Sequence, residues 1–376
     1  MENYGIKGKF GFGCMRLPRK GKEVLNEEFI KMVDYFIENG FNYFDTAHGY
    51  VNKLSEPAIK DCLTSRYPRE SYMLTDKLSD EFFNKNEDIR PFFESQLETC
   101  GVEYFDFYFM HAQDRTNYEK YQACKAYEEA LKFKAEGKIR HLGISFHDKA
   151  SFLEKILTDH PEVEVVQIQL NYFDWDSASV ESKKVYEVCE KFGKGVFIME
   201  PLKGGSLVKL PEDSQKIMDN LRKKTNSALS NAGYGLLFAA SLKNVLAVLS
   251  GMGNMDMMTD NVTTMKNFKP LTEEEKTELF KVAQTLRGKD VIPCTACSYC
   301  TSGCPKQIPI PEIFSCRNNN MLFNDWNSVY YYRIIKKEGH SATECIKCGK
   351  CEAICPQHLK IRDLLQECDS KLKSSY

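Results

Sequence analysis

Cys294-Thr-Ala-Cys297-Ser-Tyr-Cys300-Thr-Ser-Gly-Cys304-Pro305 decides how the end of this chain folds, because it occurs twice. The copy is Cys345-Ile-Lys-Cys348-Gly-Lys-Cys351-Glu-Ala-Ile-Cys355-Pro356, and each of its cysteines lies 51 residues after its counterpart. Eight of the fifteen cysteines belong to this pattern. Tetrahedral zinc also takes four soft thiolates, but it needs two separated CxxC pairs and has no use for a third cysteine followed by x3-Cys-Pro. A disulfide framework belongs to exported chains, and Met1-Glu2-Asn3-Tyr4 begins no apolar leader. The spacing fits two [4Fe–4S] clusters held by thiolates. Such clusters need reduced thiols, so the expected setting is a cytoplasm poor in oxygen.

The double run resembles the two-cluster bacterial ferredoxins, in which the fourth cysteine of each run ligates the other cluster. That resemblance implies one cluster on Cys294, Cys297, Cys300 and Cys355, and another on Cys345, Cys348, Cys351 and Cys304. The remaining cysteines (Cys14, Cys62, Cys100, Cys124, Cys189, Cys316 and Cys368) lack ligand spacing and are expected as buried free thiols. Apolar residues after each Cys-Pro, from Ile308 to Phe314 and from Leu359 to Leu365, predict a short helix packed over the clusters.

Ahead of this tail, the 376-residue chain has room for one large domain. A net charge of −2 gives no pull toward nucleic acid or anionic membrane. The most apolar region, 228–252, is interrupted by Ser230, Asn231, Lys243 and Asn244, which excludes a membrane span. Short β-rich runs at 10–14, 42–46, 72–75, 105–110, 141–145, 165–170, 195–199 and 245–249 alternate with helical periodicity. One helix is predicted over 27–39, with Asn26 as cap and Gly40 as stop, and another over 117–136, ending at Gly137. Eight alternations over roughly 250 residues imply a (β/α)8 barrel, with its site at the C-terminal ends of the strands. A doubly wound open sheet competes, but Gly11-Phe-Gly13 lacks the third glycine of GxGxxG, where Arg16 stands. Thr272-x-x-Glu275 reads as a capping box for a helix stopping at Gly288. The expected division is therefore a barrel over 1–288 and a ferredoxin-like domain over 289–376.

Four polar residues fall at or just beyond strand ends: Asp45, Tyr50 in the loop after it, Lys77 and His111. Their types form an acid–base set. A lysine ammonium favours phenolate and eases proton release from tyrosine, and an aspartate keeps that lysine charged. A histidine can orient a carbonyl oxygen or share its proton. Each also has a plainer reading, as a locally bonded histidine or a solvated lysine.

Asp45-Thr-Ala-His-Gly-Tyr50 resembles the DTAxxY signature of aldo-keto reductases, (β/α)8 barrels that bind nicotinamide without a Rossmann domain. The resemblance spans about residues 8–285. It implies that Tyr50 is the general acid, that Lys77 and Asp45 tune it, and that His111 orients the carbonyl. It places Gly13 in the first-strand turn, has Ser145 and Gln167 hold the carboxamide, and matches Leu202 and Gly204 to the seventh loop. Ser250, Gly251 and Asn261 fall in the phosphate-binding region. Four positions depart from the family. Phe146 replaces an asparagine and Met199 an aromatic residue, while Gly251 and Met257 stand where cations meet a 2′-phosphate. NADH is therefore expected over NADPH.

Three functions remain open: carbonyl and redox chemistry coupled to electron transfer through the clusters, an NADH-dependent carbonyl reductase with structural clusters, or a non-catalytic redox sensor or electron carrier. The expected partners are a small-molecule substrate and a ferredoxin or other redox protein, with neither nucleic acid nor membrane.

Overall fold

The computed structural model describes residues 3–288, 291–294, 296–324 and 326–373. Lys289 and Asp290, where the sequence puts the domain boundary, lie outside them, as do Met1 and Glu2.

Eight parallel strands close into a barrel: β1 (Phe10–Gly13), β2 (Tyr43–Asp45), β3 (Met73–Leu78), β4 (Phe105–Gln113), β5 (Ile139–Phe146), β6 (Val165–Gln169), β7 (Gly195–Met199) and β8 (Val245–Ser250). Each pairs with its sequence neighbour, and β8 returns to β1. The fold is thus the expected (β/α)8 barrel.

Its interior is filled by Tyr43, Met73, Phe107, Phe109, Val165, Phe197, Leu246, Ala247 and Leu249, with Ile6 joining them from the segment before β1. Phe109 needs a glycine opposite: a Cβ at Gly143 would lie 2.5 Å from its ring. Outward-facing strand residues pack against the helices in a second, larger core.

Two helix expectations need correction. The first helix runs Asn26–Glu38 behind Leu25, and the Asn26 amide donates to Asp61 instead of capping. The stretch 117–136 is two helices, Tyr118–Ala123 and Ala126–Ala135, broken where Lys125 turns left-handed at φ +54°. Apolar periodicity continues through that break, so the pattern alone could not show it. The capping box forms: Thr272 Oγ1 accepts from Glu275 N at 3.2 Å, opening the helix Glu273–Arg287.

The tail has its own core. Ile310, Ile313, Phe314, Tyr331, Ile335, Ile361 and Leu365 pack together across the helices Ile310–Phe323, Trp326–Lys337 and Ile361–Lys373. The first and last of these follow Cys304-Pro305 and Cys355-Pro356 as expected; the middle helix carries no motif that announces it. All seven cysteines outside the double run are buried. Among the described residues, no helix is long and apolar enough to cross a membrane.

A candidate active site joined to two cysteine cavities

Register brings the acid–base residues together. Asp45 ends β2 opposite Thr75, and Lys77 follows two residues later in β3, which extends to Leu78. Lys77 Nζ donates to Asp45 Oδ1 at 2.7 Å and to Thr46 O at 2.6 Å, with both side chains buried. Tyr50 lies beyond the strand and must be brought back. Three successive left-handed residues, Val51, Asn52 and Lys53 at φ +54°, +55° and +68°, make that turn. For a β-branched residue such a conformation costs about 1–3 kcal/mol and persists where the surroundings hold it. Here Ser55 holds it, bonding Thr46 Oγ1 at 2.8 Å and Cys14 O at 3.0 Å. The Tyr50 ring then stands 4.8 Å from Lys77 Nζ.

His111 extends from β4 with its ring 5.9 Å from that of Tyr50, edge to face. Its Nδ1 is bonded by Ser79 Oγ at 2.5 Å, and among the described residues no group bonds its Nε2. Burial holds this imidazole well below the usual histidine range, and the charge of Lys77 adds to that, so it is neutral. Burial also raises Tyr50, with Lys77 pulling the other way, so the phenol keeps its proton. For Lys77, burial would lower the pKa, but Asp45 and Tyr50 outweigh it and the ammonium stays charged. The result is a protonated phenol beside a fixed cation and a neutral imidazole, facing one mouth.

A second buried network stands behind Lys77. Burial and the neighbouring Glu56 raise Asp76 well above the carboxylate range. Glu56 is bonded by His48 Nδ1 at 2.8 Å and Gln96 Nε2 at 3.3 Å. The sequence gives no sign of it.

The residues expected to meet a nicotinamide divide into two groups. Gln167 donates its amide to Asp45 Oδ2 at 3.0 Å, which leaves its carbonyl oxygen, and Ser145 Oγ accepts from Ala112 N at 2.7 Å, which leaves its proton. Phe146 is buried in the helix-facing core and offers no polar group. The second group, Leu202, Gly204, Ser250, Gly251 and Asn261, lines one open groove of about 610 Å³ between the ends of β7 and β8. Asn261 Nδ2 donates to Ser250 Oγ at 2.9 Å, fixing its floor, and Ser250 O lies 3.4 Å from where a Cβ on Gly13 would sit. Asp256, Met257 and Arg16 also line it.

The tail covers the other side of the mouth. Tyr330 donates to Asp114 Oδ2 at 2.8 Å, Tyr331 to Gln169 Oε1 at 3.3 Å, and Ser315 bonds Ser179 Oγ at 2.9 Å. Phe323 stacks edge-on against Phe173, 4.7 Å away, over the wholly buried ion pair of Lys203 with Asp174. His147, just beyond β5, meets the ring of Tyr330, and no described group bonds its buried Nδ1. Burial, helped by Lys77, lowers its pKa to about 4. Neither His147 nor Tyr330 was marked by the sequence reading; the only cue was that His147 stands two residues after Ser145.

The eight cysteines line two separate small cavities. One is walled by Cys294, Cys297, Cys300 and Cys355 with Pro311, Phe314 and Ile361. The other has Cys304, Cys345, Cys348 and Cys351 with Ile308, Ile346 and Leu365. Each cavity thus takes three cysteines of one run and the last cysteine of the other. Four thiols around an apolar void suit an iron–sulfur cluster, whose ligands are thiolates and whose shell excludes water.

Comparison with known proteins agrees with both halves. The aldo/keto reductase family model matches residues 9–311, and a 4Fe-4S dicluster domain model matches residues 293–359. The uncharacterized oxidoreductase YqkF of Bacillus subtilis is 24% identical over 295 residues, covering 70% of this chain and 89% of that protein. Glyoxal reductase of Bacillus subtilis is 25% identical over 222 residues, covering 59% and 71%. An aldo-keto reductase of Klebsiella pneumoniae, solved with NADPH, superposes with a TM-score of 0.59 at 18% identity, covering 73% of this chain and 90% of that one. The holo form of an aldo-keto reductase of Bacillus halodurans gives 0.59 at 23% identity, covering 73% and 91%. The chain belongs to the aldo/keto reductase family, is an oxidoreductase, and carries a 4Fe-4S dicluster domain after its barrel.

Proposed function

We propose that the chain reduces the carbonyl group of a small-molecule substrate in the barrel mouth, and that this chemistry is coupled to single-electron transfer through two [4Fe–4S] clusters. One observation carries the reading: the tail that holds the cysteine cavities also roofs the mouth in which Tyr50, Lys77 and His111 meet. In this reading the division between barrel and cluster domain falls at 288/289.

The Tyr50 hydroxyl donates its proton to the carbonyl oxygen. Lys77, held by Asp45, stabilises the phenoxide that remains, and His111 Nε2 fixes the oxygen's position. A nicotinamide bound in the groove would supply the hydride, and two successive single electrons from the clusters with one proton from solvent would return the oxidised cofactor to its reduced form. Ser145 and the Gln167 carbonyl would hold its carboxamide, with Leu202, Gly204, Ser250, Gly251 and Asn261 along its length and Gly13 beneath. Arg16, paired with Glu200, and Arg19 line the β1 side of the groove, while Asp256 suits a free ribose hydroxyl and Gly251 and Met257 put no cation where a 2′-phosphate is expected, which favours NADH. Cys294, Cys297, Cys300 and Cys355 would hold one cluster, and Cys345, Cys348, Cys351 and Cys304 the other. Their need for reduced thiolates favours the cytoplasm.

Tyr50→Phe tests the reading. Carbonyl turnover should fall by about 10²- to 10⁴-fold, with iron content and nucleotide binding kept; unchanged turnover would remove the acid–base chemistry from the proposal. If the clusters serve as staples, carbonyl reduction would instead survive their loss.

A further inference from the structure

In the loop after β7, Glu200, Pro201, Leu202, Gly204 and Gly205 line the open groove, while the side chain of Lys203 turns away from it. Its ammonium lies 3.0 Å from both carboxylate oxygens of Asp174, in the loop after β6, and both side chains are wholly buried. Burying an ion pair costs desolvation, which is offset when further hydrogen bonds complete it. Asp174 Oδ2 accepts two, from Gln169 Nε2 at 3.1 Å and from Asn171 Nδ2 at 2.9 Å. The Asn171 amide also donates to Glu200 O at 3.0 Å, where the groove loop begins.

That loop has to be held. Lys203, Gly204 and Gly205 are left-handed in succession, at φ +49°, +65° and +98°. Glycine adopts this conformation freely, but a lysine keeps it only where its surroundings impose it. The ion pair with Asp174 is the contact that fixes Lys203.

The cover over the pair comes in part from the tail. Phe323, the last residue of the helix Ile310–Phe323, packs against the barrel core with its ring 5.6 Å from Lys203 Nζ, and Phe173 of the barrel stands at 5.5 Å. Tyr331 donates to Gln169 Oε1 at 3.3 Å, and the amide of the same Gln169 serves Asp174. Neither Phe323 nor Tyr331 lines the groove. A line of contacts thus runs from the cluster-bearing tail, through the buried pair, to the loop beside the nucleotide.

We infer that Lys203 is a positioning residue for the nucleotide: its pair with Asp174 sets the groove loop, and the tail, by covering that pair, sets how tightly the loop holds its ligand. The inference rests on the reading of the groove as the nicotinamide site. Without Phe323, water reaches the pair and its attraction falls with the higher dielectric. Lys203 is then released from its left-handed turn, and Leu202 and Gly204 move with it. Coupling of this kind is reciprocal, so nucleotide in the groove also steadies the tail.

The test uses the full-length, cluster-loaded protein, titrated anaerobically with NADH and with NADPH by fluorescence. Lys203→Met and Phe323→Ala should each weaken binding by about tenfold. The double variant should bind no more weakly than Lys203→Met alone, because Phe323 acts through Lys203. Bound nucleotide should slow amide hydrogen exchange in the helix Ile310–Phe323 of the wild type and leave it unchanged in Lys203→Met. Lys216→Glu, on the barrel helix Glu212–Thr225, should alter neither readout. Should Lys203→Met fail to fold, Phe323→Ala and the exchange of the wild type decide the matter. Unchanged affinity and exchange beside a lowered denaturation midpoint would make the pair a fixture of the fold and overturn the inference. Fully additive losses from Lys203 and Phe323 would also overturn it, since the tail would then act by another route. A wild type that binds neither nucleotide removes the reading of the groove, and this inference with it; a wild type that binds while both variants bind equally well sinks the inference alone.

Discussion

The ring of Tyr330, from the cluster-bearing tail, stands 5.5 Å from the ring of His147 at the end of β5, and its hydroxyl donates to buried Asp114 at 2.8 Å. The tail is thus part of the wall of the mouth. Asp114 Oδ1 is served by Thr116, but Oδ2 depends on Tyr330. Tyr330→Phe should therefore cost about 1–3 kcal/mol through the unpaired carboxylate oxygen. Denaturant titration followed by cluster absorbance reads this as an earlier loosening of the tail. An unchanged midpoint would show that the roof is held elsewhere.

Lys77 and Asp45 form a buried ion pair, so removing one partner strands the other. Lys77→Met should destabilise by about 3–5 kcal/mol and abolish carbonyl turnover. The double variant Lys77→Met/Asp45→Asn should recover much of the stability and none of the activity. A double-mutant cycle in denaturant measures the coupling, and purely additive losses would contradict the pairing.

The mouth histidines make a pH signature. Burial, with help from Lys77, brings His147 from the ordinary 6.5 to about 4. The unfolded chain therefore takes up this proton first on acidification. The contribution of a neutral His147 is complete above about pH 6.5 and is lost as pH falls toward 4. His147→Gln should flatten the fall in stability across that window relative to wild type. Parallel curves would show that His147 does not carry it.

Met257 is half exposed at the edge of the nucleotide groove, in the first turn of the helix Met255–Lys266. Met257→Lys should offer a 2′-phosphate a cation and tighten NADPH by about tenfold, equivalent to ~1.4 kcal/mol, with NADH little affected. Fluorescence titration of both nucleotides measures it. Equal gains for both would place the 2′ position elsewhere in the groove.

What the sequence revealed follows from which signals are local. The eight strands were legible because runs such as Phe105 to Met110 are aromatic, apolar and bounded by turns, and the cysteine spacing carries its chemistry in the chain itself. Asp45, Tyr50, Lys77 and His111 were legible because barrel topology sends strand ends to one mouth. The helix carrying Tyr330 was not, since its purpose is a contact with His147 more than 180 residues earlier in the chain. The use of Gln167 on Asp45 was equally hidden: it depends on two strands meeting across the barrel interior. The break at Lys125 and the misassigned cap at Asn26 failed locally, because tertiary packing overrode patterns that fit a simpler helix.

Anaerobic mixing of NADH with the cluster-loaded protein, followed by the absorbance and paramagnetic signal of the clusters, asks directly whether the two halves work as one. Coupling requires that NADH reduce the clusters and that Cys294→Ser disturb this transfer. If dithionite reduces the clusters and NADH does not, the barrel and its tail are electronically separate and the coupled function is wrong.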